Sequence, residues 1–133
     1  MNTQQILHVI KRITAIYILI LFFGLLLNCS GSLSPSETVL DFFKAQQNGD
    51  FEKASTYMKD AGSYLSRYLS MPDEEIEEQR KRNRESQMEI KIIDEKIEGF
   101  KAEVKFQIQK PNGRVKEDTA TLVQIEGEWK LNR

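Results

Sequence analysis

The sequence predicts an α+β domain in which N-terminal helices pack on a curved antiparallel sheet of about four strands, behind an N-terminal signal-peptide helix. Apolar residues recur at helical spacing from residue 35 to about residue 69, and from residue 88 onward they alternate with polar residues. Tight-turn residues separate the alternating segments, which is typical of an antiparallel meander with one face in water. Helices that precede such a sheet are expected to cover its apolar face.

The first 28 residues have the pattern of a secretory signal. The basic pair Lys11-Arg12 precedes residues 13–27, which are uncharged and mostly large and apolar. Fifteen residues at 1.5 Å each cover only about 22 Å of a hydrocarbon core about 30 Å thick, so the run is short for a membrane-spanning helix. The alternative is an ordinary signal anchor that happens to contain a cysteine.

The first helix of the domain is predicted to begin at the capping box Ser34-Pro35-Ser36-Glu37, with proline at the first helical position. Asn48-Gly49 ends this helix as a C-cap would. Asp50 is predicted to cap a second helix with an apolar stripe that continues to Ala61. A third helix is predicted to open immediately afterwards, at Gly62 or Ser63.

Residues 73–87 are predicted to form a helix of a different kind. Its acidic residues come first and its basic residues last, which matches the helix macrodipole, and only Ile76 is apolar. We expect it to project into solvent or to pack through one turn near Met71 and Ile76. A solvated face is favoured over a partner-docking surface and over a calcium site, because its consecutive carboxylates point in different directions.

Four strands are predicted after this helix. The first starts near Met88 and changes parity between Ile93 and Ile97, as a bulge would produce. The second alternates without a break from Phe100 to Ile108, and the third runs from about Val115 to Ile125. A short fourth strand carries Trp129 and Leu131. The turn signals between them are Glu98-Gly99, Pro111-Asn112-Gly113 and Glu126-Gly127.

Residues 26–29, Leu-Leu-Asn-Cys, resemble the lipobox of bacterial lipoproteins. The resemblance implies cleavage between Asn28 and Cys29, a diacylglycerol thioether on the Cys29 sulfur, and an acyl group such as palmitate on the new N-terminus. Asn28 departs from the usual Gly, Ala or Ser, although the relaxed lipoboxes of spirochaetes accept it. Because the chain has a single cysteine, no intramolecular disulfide can form.

The expected organisation is therefore a signal peptide at residues 1–28, a lipidated tether at 29–34 and a folded domain at 35–133. Residues 34–58, SPSETVLDFFKAQQNGDFEKASTYM, resemble the opening helices of the nuclear-transport-factor-two-like superfamily, the cone-shaped, cystatin-like fold of ketosteroid isomerase and scytalone dehydratase. The ending GEWKL is similar to that of small lipoprotein members of unknown function. This resemblance covers about Pro35 to Leu131 and implies a fold, but no chemistry.

Several classes of chemistry are excluded by residue content. The single histidine, His8, lies within the segment to be cleaved. The domain therefore lacks Ser-His and Cys-His nucleophile pairs and histidine-based metal sites. The seven glycines of the chain are scattered, so no phosphate-binding loop is present. We expect no cofactor and no metal. The net charge of −1 argues against a nucleic-acid partner.

The favoured function is that of a lipid-anchored cell-envelope protein, held by Cys29 on the outer membrane or cell surface rather than the inner membrane. Its concave sheet is expected to bind a small apolar ligand or a partner envelope protein without catalysis. The candidate pocket-lining residues are Phe43, Tyr57, Tyr64, Phe106 and Trp129.

Two alternatives remain open. The first is a small isomerase- or dehydratase-type enzyme that uses Asp41 as the base, with Tyr57 or Tyr64 as the hydrogen-bond donor. Helix periodicity places Asp41 near Lys44 and Asn48, on a face that looks exposed to water. The second is a structural envelope lipoprotein without a pocket. A cone filled by large side chains would indicate it, and those side chains are Phe42, Phe106 and Trp129.

Overall fold

The computed structural model describes residues 31–133, so the predicted signal peptide, the cleavage site and Cys29 lie outside the described residues. Residues 32–133 form one compact unit. Its helices are α1 (Pro35–Gln47), α2 (Phe51–Thr56), α3 (Ala61–Leu69) and α4 (Asp73–Glu85). Its strands are β1 (Glu89–Glu98), β2 (Lys101–Gln109), β3 (Val115–Ile125) and β4 (Glu128–Leu131). The predicted α+β class is confirmed. Within this part of the chain, no helix combines the length and apolar character needed to cross a membrane.

The four strands form one antiparallel sheet in the order β1-β2-β3-β4. The predicted bulge in β1 is present, as a register shift between Ile92 and Asp94. The turns at residues 99–100 and 126–127 lie at one end of the sheet, because consecutive strands run in opposite directions. We call this the paired-turn end. Gly99 and Gly127 take positive φ values of 60° and 82° there, which glycine adopts without steric cost.

Helix α1 lies along β1 and runs in the opposite direction. Its capping box is formed as predicted: the Ser34 hydroxyl accepts from the Glu37 backbone N–H at 3.2 Å, and the Glu37 carboxylate accepts from the Ser34 N–H at 2.7 Å. The backbone N–H of Ser36 donates to the Glu95 carboxylate at 2.8 Å. At the other end of α1, Gln47 donates to the carbonyl of Met88 at 2.7 Å. The N-terminus of α1 therefore lies toward the paired-turn end.

The core lies between α1, α2 and the inner face of the sheet. In β2, Ala102, Val104 and Phe106 are buried and alternate with exposed charged residues, which is the one-sided pattern expected of a half-covered sheet. The phenyl rings of Phe42 and Phe43 contact each other edge to face, with centroids 5.5 Å apart. The remaining buried apolar residues of this core cluster are Val39, Ala45, Ala54, Ala120, Leu122, Trp129 and Leu131.

The second and third helices differ from their predicted bounds. Helix α2 ends at Thr56, whereas its apolar stripe predicted a helix that continues to Ala61. The chain leaves the helix because it pairs with β4: the Leu131 N–H donates to the Tyr57 carbonyl at 2.7 Å, and the Lys59 N–H donates to the Leu131 carbonyl at 2.8 Å. Asp60 then caps α3, so this helix starts before the predicted glycine or serine.

Helix α4 packs on the domain through more of its length than predicted. Asn83 donates to the Gln46 carbonyl at 2.9 Å, and the Arg80 guanidinium lies over the Phe51 ring at 5.8 Å. A side chain on Gly49 would stand 2.9 Å from Cβ of Arg80, and Gly49 itself has φ of +72°. Glycine at this position therefore allows α4 to approach closely. A charged residue that packs by its aliphatic stem gives no apolar signal in the sequence.

Candidate functional site

Three of the five residues predicted to line a pocket belong to the core cluster, and the other two pack against it. Phe43, Phe106 and Trp129 are buried members of it, with exposed fractions of 8%, 0% and 9%, and Tyr57 and Tyr64 pack against it while partly exposed. The rings of Phe43 and Phe106 contact each other, with centroids 5.2 Å apart. These rings thus serve as packing between α1 and the sheet.

The two tyrosines of the predicted catalytic group have different partners. Asp41 lies beside Tyr57, and the pKa of the Tyr57 hydroxyl is raised by partial burial and then by the negative charge of Asp41. The hydroxyl of Tyr64 instead accepts a hydrogen bond from the side-chain amide of Gln46 at 3.0 Å. Burial raises the pKa of Tyr64 further above its usual range. Both phenols are therefore protonated near neutral pH and can only donate or accept hydrogen bonds.

The aromatic side chains of α3 extend the core outward. Tyr68 stacks on Phe51 with centroids 3.9 Å apart and an interplanar angle of 8°, and Tyr64 contacts Phe42 at 6.0 Å. Arg80 lies over the same Phe51 ring and is 3.8 Å from the Glu52 carboxylate. Tyr64 and Tyr68 are four residues apart on α3, and their rings contact each other with centroids 5.2 Å apart. Their role here is to join α3 and α4 to the core.

A shallow groove of about 310 Å³ lies on the face of the sheet opposite α1, near the paired-turn end. Its walls carry charges of both signs, and Lys96 and Glu98 form an ion pair at 2.7 Å. This pair raises the pKa of the Lys96 ammonium and lowers that of the Glu98 carboxyl. Among residues 31–133, no group of three or more carboxylate, cysteine or histidine side chains is arranged to hold a metal ion.

Two exposed apolar side chains at the paired-turn end were not singled out by sequence reasoning. Phe100 is 75% exposed and Ile97 is 50% exposed. Ile97 pairs with Ala102 across the β1–β2 ladder, and the Gln124 N–H donates to the Phe100 carbonyl at 2.8 Å. The last ladder pair is Glu98 with Lys101, so Ile97 and Phe100 both lie at the tip of this hairpin. The unbroken alternation from Phe100 to Ile108 had suggested that Phe100 belongs to the buried face.

Comparison with solved structures identifies the fold. A putative NTF2-like transpeptidase from Campylobacter jejuni matches with a TM-score of 0.55 at 16% identity, over 74% of this chain and 97% of that chain. A SEC-C motif containing protein from Rhodopseudomonas palustris matches with a TM-score of 0.51 at 16% identity, over 75% and 76% of the two chains. At such identities the likeness concerns the fold alone, and it confirms the predicted NTF2-like (nuclear-transport-factor-two-like) architecture.

Comparison of sequences gives a family match. The family model described as a domain of unknown function (DUF4878) matches residues 28–132. No curated protein matches the chain at a significant level.

Proposed function

We propose that this chain, which belongs to the DUF4878 family and has an NTF2-like fold, is a lipid-anchored protein of the cell envelope. Two features support the anchor. The apolar run of residues 13–27 ends at Leu-Leu-Asn-Cys, and the family match begins at residue 28, beside the proposed cleavage site. A diacylglycerol thioether on Cys29 together with an acyl group on its amine would hold the domain stably on a membrane.

We further propose that the anchored domain lies on the outer membrane or the cell surface rather than the inner membrane. Residues 30–34, Ser-Gly-Ser-Leu-Ser, would then link Cys29 to the capping box of α1. The capping box fixes where the folded domain begins, because the Ser34 N–H and the Glu37 carboxylate are already bonded to each other. The domain would thus be held close to the membrane by a link of only a few residues.

The domain itself is proposed to bind a partner protein of the envelope on its surface, without catalysis. The observation that carries this proposal is the packing of the space between α1 and the sheet, where a ligand of the domain would be expected. Phe42, Phe106 and Trp129 are 2%, 0% and 9% exposed and belong to one core cluster. Side chains packed in this way leave recognition to the exposed surface.

Native mass spectrometry tests this proposal against an enclosed ligand. The protein is purified in mild detergent from the cells that make it, and its mass is measured under native and denaturing conditions. We expect the two masses to agree once detergent is removed. A non-covalent small molecule seen only under native conditions would contradict a packed interior, and replacing the core residue Phe43 by the larger Trp would then displace it.

The enzyme alternative has one observation in its favour, the placement of Asp41 beside Tyr57. An isomerase- or dehydratase-type reaction needs the carboxylate to reach a substrate proton at about 3 Å, with a hydrogen-bond donor at the developing oxyanion. Tyr64 does not assist this pair, because its hydroxyl is bonded to Gln46. Turnover of a ketosteroid or a similar carbonyl substrate that is lost in Asp41→Asn and retained in Gln46→Ala would favour the enzyme over the binding domain.

A further inference from the structure

The exposed apolar patch formed by Ile97 and Phe100 has no partner within the described residues, although large apolar side chains are costly to leave in water. Phe100 is 75% exposed and Ile97 is 50% exposed. Both lie at the β1–β2 turn, where Gly99 at φ of +60° allows a two-residue connection. Isolated apolar side chains are common on protein surfaces, but here two of them share one hairpin tip, and we call this pair the wedge.

The wedge lies at the same end of the domain as the N-terminus of α1. Ser36, in the first turn of α1, is hydrogen-bonded to Glu95 of β1. Ile97 follows Glu95 by two residues on the same strand, which is about 7 Å along β1. The chain that leads back from α1 toward Cys29 therefore leaves the folded domain close to the wedge.

The length of that chain limits how far the wedge can lie from a membrane that holds Cys29. From Cys29 to Pro35 there are six Cα–Cα steps, which span at most about 22 Å when fully extended. Leu33, on this link, is itself 37% exposed. The turn between β2 and β3 lies at the opposite end of the sheet, roughly 25–30 Å away along the strands.

Charges at the two turns of the paired-turn end are balanced. The β1–β2 turn is flanked by Lys96, Glu98 and Lys101. The β3–β4 turn carries Glu126, Glu128 and Lys130. Four of these residues form two close ion pairs, Lys96 with Glu98 and Lys130 with Glu128, each at 2.7 Å. Glu37 and Glu95, which lie at the N-terminus of α1, add negative charge to this end, so attraction to anionic lipid would not direct it to a membrane. An interaction with a membrane would depend on the apolar side chains.

We propose that the hairpin tip at Ile97–Phe100 docks on the lipid bilayer that carries the anchor, with the Phe100 ring inserted at the headgroup boundary. This inference rests on the proposed function, because the short link to a lipidated Cys29 is what brings the tip to the membrane. Docking fixes the orientation of the domain. The paired-turn end faces the membrane, and the β2–β3 turn faces away from it.

The test uses the full chain, produced with its lipid and reconstituted into phosphatidylcholine vesicles whose acyl chains carry bromine near the headgroup. Phe100→Trp places a fluorophore at the tip. Val115→Trp is the matched control, because Val115 is also apolar and 55% exposed but lies at the opposite end of the sheet. Both variants keep the native Trp129, so its emission is a common background.

Side chains docked at an interface lie about 5–10 Å into the headgroup boundary, so we expect bromine to quench Phe100→Trp strongly and Val115→Trp hardly at all. Raising the salt concentration should leave this difference unchanged, because the docking is apolar. Adding Ile97→Asp to Phe100→Trp should remove most of the quenching. Equal quenching at the two positions would overturn the docking proposal. Absence of quenching at both positions would also overturn it, and this is the result expected if the tip binds another protein instead of the membrane.

The mass of the same preparation separates this proposal from the proposed function. A lipid adduct on Cys29 without quenching at the tip overturns the docking alone. Quenching at the tip without a lipid adduct overturns the lipid anchor and supports the docking.

Discussion

Replacing Phe106 by Ala tests the assignment of the core most severely. Phe106 lies at the centre of β2, is 0% exposed and contacts the Phe43 ring at a centroid distance of 5.2 Å. Truncation of a buried phenylalanine removes its transfer free energy and leaves a cavity, at a total cost of about 3–5 kcal/mol. Single domains are stable by about 5–15 kcal/mol, so the change removes a large part of the free energy of unfolding.

Urea unfolding of the fragment Ser32–Arg133, followed by the fluorescence of Trp129, measures this cost. We expect the midpoint to fall while the slope with denaturant stays the same, because the surface exposed on unfolding is similar. Phe100→Ala is the matched control. It removes the same side chain from a 75% exposed position and should change stability by less than about 0.5 kcal/mol. A cost below about 1 kcal/mol for Phe106→Ala would refute the assignment of this face of β2 to the core.

The same fragment should fold without lipid or metal, since its core lies within it, and a broad, non-cooperative unfolding curve would contradict this. Gly49→Ala should destabilise by more than Gly99→Ala: both have positive φ, but only at Gly49 would a Cβ meet a neighbour, Arg80, at 2.9 Å. The strain of a left-handed alanine, about 1–2 kcal/mol, is common to both variants. The difference between their urea midpoints therefore measures the steric contact with α4. Asp41→Asn should shift thermal stability by no more than about 0.5 kcal/mol, and a large gain would mean a buried acid. The Ser34 backbone N–H holds the pKa of Glu37 below its ordinary value of 4.5. The Glu37 carboxylate therefore stabilises the folded state fully above about pH 4.5, and this stabilisation is lost as the pH falls below that value through the lowered pKa. Glu37→Gln should accordingly weaken the dependence of the free energy of unfolding on pH in the acid range.

The features predicted correctly are those fixed by neighbours in sequence. The capping box at Ser34 and the N-cap at Asp50 depend on residues three positions away. The bulge in β1 could be read from the change in parity of its apolar residues. The third strand has the predicted bounds, because its alternation is bounded by clear turns at both ends.

The features that differ from prediction depend on residues far apart in the chain. Helix α2 ends early because the Tyr57 carbonyl accepts a hydrogen bond from the Leu131 N–H instead of continuing the helix. No residue near Tyr57 in the sequence indicates this pairing with β4. Arg80 packs its guanidinium over Phe51 and its aliphatic stem next to Gly49, whereas charge patterning had assigned this helix face to solvent. Aromatic residues at helical spacing do not reveal whether they line a pocket or fill it, because this depends on the distance between α1 and the sheet.

The lipid anchor at Cys29 is the claim on which the cellular role depends most directly. Tandem mass spectrometry of the N-terminal peptide, released from protein extracted from membranes, identifies the lipid and the residue that carries it. The account predicts a peptide that begins at Cys29, with a diacylglyceryl group on sulfur and an acyl group on the amine. A membrane-located protein whose peptides span an intact and unmodified Asn28–Cys29 bond would contradict it.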